Sequence, residues 1–270
     1  MKHLLIAASA LAMTAGYAAA DITFSGSASA GVATDAGAAW DVYSSANLAV
    51  AFAGQTDSGL SFGASFDTSV GEAYALADDD GFSSNDGIFG APTIFVSGSF
   101  GKLSVSHDNF DFFDDTNGGG DVKYEGTFGG FGVGLVSDVD SGDASVSASY
   151  TVAGVALSAN ADTYDLWNVS ASYTMGSITA TVATDESSNS SVKVAYSANG
   201  ISASAQYNTS DASVDLSAGY ATGPMSVSVS TNTVSNHWSA TGSYDLGGGL
   251  ALEAGTNYTG DMMVGAKMSF

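Results

Sequence analysis

The residues best able to do chemistry crowd into one acidic segment, in which Asp108, Asp111, Asp114, Asp115 and Asp121 are interleaved with Phe110, Phe112 and Phe113. Turned toward a water-filled interior, such carboxylates form an acidic constriction that attracts cations. Turned outward, they are a solvated acidic loop, and the residues alone leave both readings open. A second set, Lys123, Glu125, Lys193, Glu253 and Lys267, falls on the polar side of alternating segments, where each is either a selectivity group or simple lining. Asp78, Asp79, Asp80 and Asp86 give a third segment the oxygen-rich composition of a calcium loop. It lacks the Glu at the twelfth position and the flanking helices of an EF-hand, so an exterior acidic loop is the competing reading.

Catalytic arrangements find little support. His107 and His237 are the only histidines after residue 20, each isolated in an expected strand, which leaves a nucleophilic triad or a histidine metal site without partners. The run Gly118, Gly119, Gly120 has no Lys-Ser/Thr after it and precedes no helix, so it reads as a turn and not a phosphate loop.

The elements that must position these groups are strands. Ser145, Ser147, Ser149 and Thr151 interleave with Ala144, Val146, Ala148 and Tyr150, and the same grammar recurs at residues 167–174 and 192–197. Period-two alternation puts the two sets on opposite faces of a sheet. The apolar face is rich in alanine, too small to fill a close-packed core between two sheets. Lipid tails could supply the missing contacts, and no apolar stretch after residue 20 reaches the ~18 residues of a membrane helix.

Residues 1–20 read as a secretory signal: Met1-Lys2-His3, an apolar run over 4–15, and Ala18-Ala19-Ala20 before Asp21. Residues 21–270 form one expected domain, since Pro92 and Pro224 are the only prolines and no linker composition divides it. Without cysteine, an exported chain must hold together without disulfides, which a closed barrel does by leaving no strand edge free. Acidic residues outnumber basic ones 28 to 5 and the formal charge is −23, which excludes nucleic acid as a partner.

Phe52, Phe100, Phe128, Tyr150, Tyr173, Tyr196, Tyr220, Tyr244 and Phe270 stand on the apolar face, most of them followed by a short Gly-containing turn. Each period is one hairpin of two strands, each close to the ~9–11 residues that cross a bilayer. The aromatics read as an interfacial girdle. The expected fold is therefore all-β: a transmembrane antiparallel up-and-down barrel of about eighteen strands, with sixteen as the alternative. Segments 138–143, 185–190 and above all 70–91 are expected as exterior loops. The last strand alternates Met262, Val264, Ala266, Met268 and Phe270, resembling the terminal signal read by the outer-membrane barrel assembly machinery.

Three segments carry a family resemblance: Gly54-Gln55-Thr56-Asp57-Ser58-Gly59-Leu60-Ser61-Phe62-Gly63-Ala64-Ser65-Phe66, Val96-Ser97-Gly98-Ser99-Phe100-Gly101-Lys102-Leu103, and Ser243-Tyr244-Asp245-Leu246-Gly247-Gly248-Gly249. They resemble the alphaproteobacterial, Rhodobacter-like general diffusion porins of Gram-negative outer membranes. The resemblance implies a trimer of barrels, usually sixteen-stranded, with a third loop folded into each pore and a long early loop latched onto a neighbouring subunit. It also implies lipid and lipopolysaccharide as surroundings and passive passage of small hydrophilic solutes. Two features depart from the family: segment 111–120 is short for a constriction loop, and the chain has no arginine to face it.

The resulting expectation is a water-filled, cation-preferring channel that is not an enzyme and needs no cofactor, calcium apart. The competing classes are a non-conducting structural or adhesive surface barrel, a soluble β protein, and an outer-membrane enzyme.

Overall fold

The alternating segments pair into one continuous antiparallel sheet. The computed structural model describes residues 21–36, 38–76, 81–113 and 119–270, with every side chain among them except 85, 86 and 88; the expected signal, residues 1–20, lies outside the described residues. The strands are β1 (Asp21–Thr34), β2 (Asp41–Gln55), β3 (Ser61–Ala75), β4 (Gly81–Phe89), β5 (Thr93–Gly98) and β6 (Gly101–Asp111). They continue through β7 (Gly119–Phe128), β8 (Phe131–Ser137), β9 (Ala144–Val152), β10 (Val155–Asp162), β11 (Trp167–Met175), β12 (Ile178–Asp185) and β13 (Ser190–Ala198). The last six are β14 (Ile201–Asn208), β15 (Val214–Thr222), β16 (Met225–Asn232), β17 (Trp238–Gly247), β18 (Leu250–Asn257) and β19 (Met262–Ser269).

Sequence neighbours pair except β4 with β5, and β1 pairs with both β2 and β19, which closes the sheet into a barrel. At the seam, Gly26 and Phe270 exchange two backbone hydrogen bonds of 3.0 Å. β4 and β5 pair with successive stretches of β3, separated by Gly90, Ala91 and Pro92, so together they fill one place and the barrel has eighteen. Proline has no N–H to give a ladder, which suits it to this break. The expectation of about eighteen strands holds, and sixteen does not.

Along the barrel wall the strands separate their residues by face. Phe24, Val146, Val182, Val229 and Val264 are exposed on the outer face, as lipid-covered side chains are. On the inner face hydroxyls bond across strands: Ser29 with Ser45 at 2.9 Å, Ser158 with Ser170 at 2.7 Å, Ser226 with Ser243 at 2.7 Å, and Ser228 with Thr241 at 2.7 Å. Such pairs satisfy polar groups along the wall while leaving oxygens for water.

The two ends differ. At one, hairpins close in two residues, as at Asn199 (φ 51°) and Gly200 (φ 76°), both in the left-handed region that primed hairpin turns require. At the other end turns are longer, including 138–143. One expectation is corrected here: segment 70–91 is mostly strand. β3 runs on to Ala75 and β4 returns beside it in the register Tyr74↔Phe82 and Val70↔Asp86. Its acidic composition resembles a loop, and only the partner strand decides that it is paired.

Candidate functional site

The inner face is the candidate site, and register places its charges. Lys123 and Glu125 lie on the inner face of β7, with Nζ of Lys123 3.2 Å from Oε1 of Glu125. Lys102 of β6 pairs in register with Glu125 and holds its ammonium 4.8 Å from the centre of the Phe95 ring, a cation–π arrangement. Lys193 is on β13 opposite Thr181 and Gln206, Glu253 on β18 opposite Ser243 and Gly265, and Lys267 on β19 opposite Ser29 and Ala251. All four lysines after residue 20 are thus on the inner wall. Alternation had placed three of them there and passed over Lys102, which sits just after a turn.

The acidic segment divides. Asp111 is a strand residue paired with Gly119, while Asp114 and Asp115 lie outside the described residues. Asp121 accepts the N–H of Asp108 at 3.1 Å on one oxygen and that of Val139 at 3.1 Å on the other. His107 Nδ1 stands 2.9 Å from the Asp108 carboxylate and 4.0 Å from Asp121. His107 is therefore not isolated, contrary to the sequence reading. Three ligand atoms lie within 4.8 Å of one another there, but both Asp121 oxygens are engaged by backbone, which makes the cluster a brace between β6, β7 and the turn after β8. His237 precedes β17 instead of lying in a strand, and its ring stacks on Tyr258 at 3.8 Å. Asp78, Asp79 and Asp80 lie outside the described residues, as does the side chain of Asp86.

Several Asp and Asn residues at strand ends have a structural task that sequence reasoning missed. Asp162, Asp185, Asn208, Asn232 and Asn257 end alternate strands, and the backbone N–H of each donates to the carbonyl where its turn rejoins the sheet, at 2.9–3.2 Å. Most also accept with the side chain, as Asp162 Oδ1 does from Tyr164 at 2.9 Å and Leu166 at 3.0 Å, and Asn257 Oδ1 from Thr259 at 3.2 Å and Asp261 at 3.0 Å. These are Asx turns. The signal that could have found them is their regular recurrence, 23, 23, 24 and 25 residues apart.

Outside these turns Asp138 and Asp143 close the turn after β8. The Ser141 hydroxyl holds both carboxyl groups below the usual value of 3.8, with the Asp140 N–H assisting at Asp138 and the Tyr164 hydroxyl at Asp143. On the inner wall, Asp215 of β15 accepts from two neutral amides, Asn208 Nδ2 at 2.7 Å and Asn232 Nδ2 at 2.6 Å.

Phe52, Phe128, Tyr150, Tyr173, Tyr196, Tyr220, Tyr244 and Phe270 stand on the outer face near the short-turn end, and Phe100 lies in such a turn. A second set, Trp167, Tyr207 and Trp238, stands at the opposite end of the same face. On both β11 and β17 six steps separate the Trp from the Tyr, roughly 20 Å of strand at ~3.4 Å per residue. That is comparable to the ~25 Å apolar band of outer-membrane barrels.

Comparison with known proteins agrees with this geometry. The Gram-negative porin family model matches residues 7–261. Among solved structures, a triple mutant of the Rhodopseudomonas blastica porin is 15% identical with a TM-score of 0.57, covering 92% of this chain and 100% of its own. OmpT, an outer membrane protein of Vibrio cholerae in its trimer form, is 12% identical with a TM-score of 0.57, covering 93% and 99%. A further porin structure is 18% identical with a TM-score of 0.54. No curated protein sequence matches. With its family match over nearly the whole length, its closed barrel, its lipid-suited outer face and its hydroxyl-lined inner one, the chain belongs to the Gram-negative porins, the diffusion channels of the outer membrane.

Proposed function

We propose that the barrel is a cation-preferring channel for ions and small hydrophilic solutes, which cross down their own gradients. The observation that carries the preference is the imbalance of its charges. Acidic residues outnumber basic ones 28 to 5, and the inner-wall carboxylate of Asp215 takes its hydrogen bonds from the neutral Asn208 and Asn232. Fixed negative charge at a narrow aqueous wall raises the local cation concentration. No catalytic step and no cofactor belong to this reading.

Residues 1–20 act as the export signal, Phe270 as the assembly machinery's recognition residue, and lipopolysaccharide and lipid as the outer-face surroundings. The barrel works as a homotrimer, a reading supported by the trimer form named for the Vibrio protein. Chemical cross-linking in native membranes tests the trimer.

The direct test is single-channel conductance of the purified mature protein in a planar bilayer under a KCl gradient. Stepwise conductance with a cation-selective reversal potential is expected; an anion-selective potential overturns the preference. One observation favours the second reading, a non-conducting barrel: side chains of β3 lie inside the lumen, and insertion without conductance would establish it.

A further inference from the structure

The inner wall carries a passenger. Alternation from Phe66, Thr68 and Val70 would set Tyr74 on the lipid side, yet its ring lies 5.9 Å from that of Tyr43, an inner-face residue of β2 that is only 3% exposed. Between Val70 and Tyr74 stands Gly71 at φ 89°, a left-handed conformation in which β3 can turn off the wall. Tyr74 donates its hydroxyl to the Thr34 carbonyl at 3.3 Å and meets Phe82 of β4 edge-on at 4.9 Å.

The wall beneath is cut to receive this hairpin. The Tyr43 hydroxyl lies where a side chain at Gly31 of β1 would begin, 2.6 Å from the place of its Cβ, and it crowds Gly265 of β19 in the same way. Leu76 reaches further, to β18, where a Cβ on Gly255 would lie 2.8 Å from Leu76 Cδ2. Ala33 and Thr34, almost wholly buried in a protein with few buried side chains, lie under the same contact. Tyr74 and Leu76 together face a cavity of about 590 Å³ bounded on the far side by Ser226, Ser228, Thr241, Ser243 and Glu253.

We propose that the β3–β4 hairpin narrows the pore, and that Tyr74 and Leu76 set the size limit for solutes. The passage left open runs between these two side chains and the hydroxyl-lined wall of β16 to β18, and the Glu253 carboxylate lines it. Gly255 of β18 leaves room for Leu76, and Gly31 of β1 and Gly265 of β19 leave room for Tyr43, on which Tyr74 of the hairpin rests. Polar solutes slide along hydroxyls on one side against apolar carbon on the other, so width decides entry more than binding does.

This inference rests on the barrel being a conducting channel, and the experiment separates the two. The chain has no cysteine, so the double variant Leu76→Cys, Gly255→Cys reports contact without interference. Under mild oxidation the folded, heat-modifiable barrel is expected to form an internal disulfide, a result independent of conductance. A folded barrel in which no bond forms overturns the proposal. In the planar bilayer, Leu76→Ala with Tyr74→Ala is expected to raise single-channel conductance about two-fold and to admit larger sugars in liposome swelling, since a constriction sets both. Conductance and sugar cutoff equal to the parent's overturn the proposal even if the disulfide forms. A parent protein that inserts without conducting overturns the channel reading instead.

Discussion

Lys123 holds its ammonium 3.2 Å from the Glu125 carboxylate, two positions along the same inner face of β7. The pair cancels its own charge, and both partners are substantially exposed to the lumen, so its worth to stability is small. Its worth to selectivity is the larger matter. Glu125→Gln leaves Lys123 uncompensated beside Lys102 and should move the reversal potential toward anions; Lys123→Gln should move it toward cations. Both shifts should shrink between ~0.1 M and ~1 M salt, as the screening length falls from about 10 Å to about 3 Å. Reversal potentials of the two variants at the two salt concentrations check this.

The turn after β10 hangs on one carboxylate. Asp162 Oδ1 accepts the N–H groups of Tyr164 and Leu166, so Asp162→Ala strands two donors and should loosen the turn at a cost of about 1 kcal/mol. Amide hydrogen exchange at residues 163–166 should quicken markedly, while β11 and β12 keep their protection. Asp162→Asn, which keeps the accepting oxygen, should restore slow exchange.

Asp138 and Asp143 predict how the neighbouring turn responds to acid. Ser141 is the chief cause of a lowered pKa at each, so the folded turn binds protons less readily than the free chain. Their contribution is therefore fully present above the usual carboxylate value and lost as pH falls through the depressed values. Side-chain NMR titration in detergent should give midpoints below 3.8 for both, and Ser141→Ala should raise both toward it.

Phe270 lies over Gly26 so closely that a Cβ at position 26 would sit 2.6 Å from Phe270 Cζ. Gly26→Val should push the ring away and strain the β1–β19 seam, at the ~1–3 kcal/mol typical of overpacking. The temperature at which the folded band converts to the unfolded one on gels should fall. Phe270→Ala should relieve only the ring's share of the clash in the double variant, because the Asn47 carbonyl oxygen stands as close, at 2.6 Å, and assembly should slow if Phe270 also serves as the recognition residue.

Much of this protein is legible in the order of its residues. Alternation such as Ser145-Val146-Ser147-Ala148 assigns each side chain a face, because a strand's side-chain direction depends on nothing beyond its own backbone. The recurring aromatic and Gly turn counts hairpins, because a two-residue turn is a local matter of left-handed angles. Lys123, Lys193, Glu253 and Lys267 reach the inner face by that rule alone. The tertiary structure decided what depends on residues distant in the chain: the closure of β1 on β19, the strand pairing within 70–91, the company His107 keeps with Asp121, and the seating of Leu76 against Gly255. Gly31, Gly255 and Gly265 look in sequence like any other glycines of an alternating strand. Their meaning comes from Tyr43 and Leu76, which only the folded barrel brings against them.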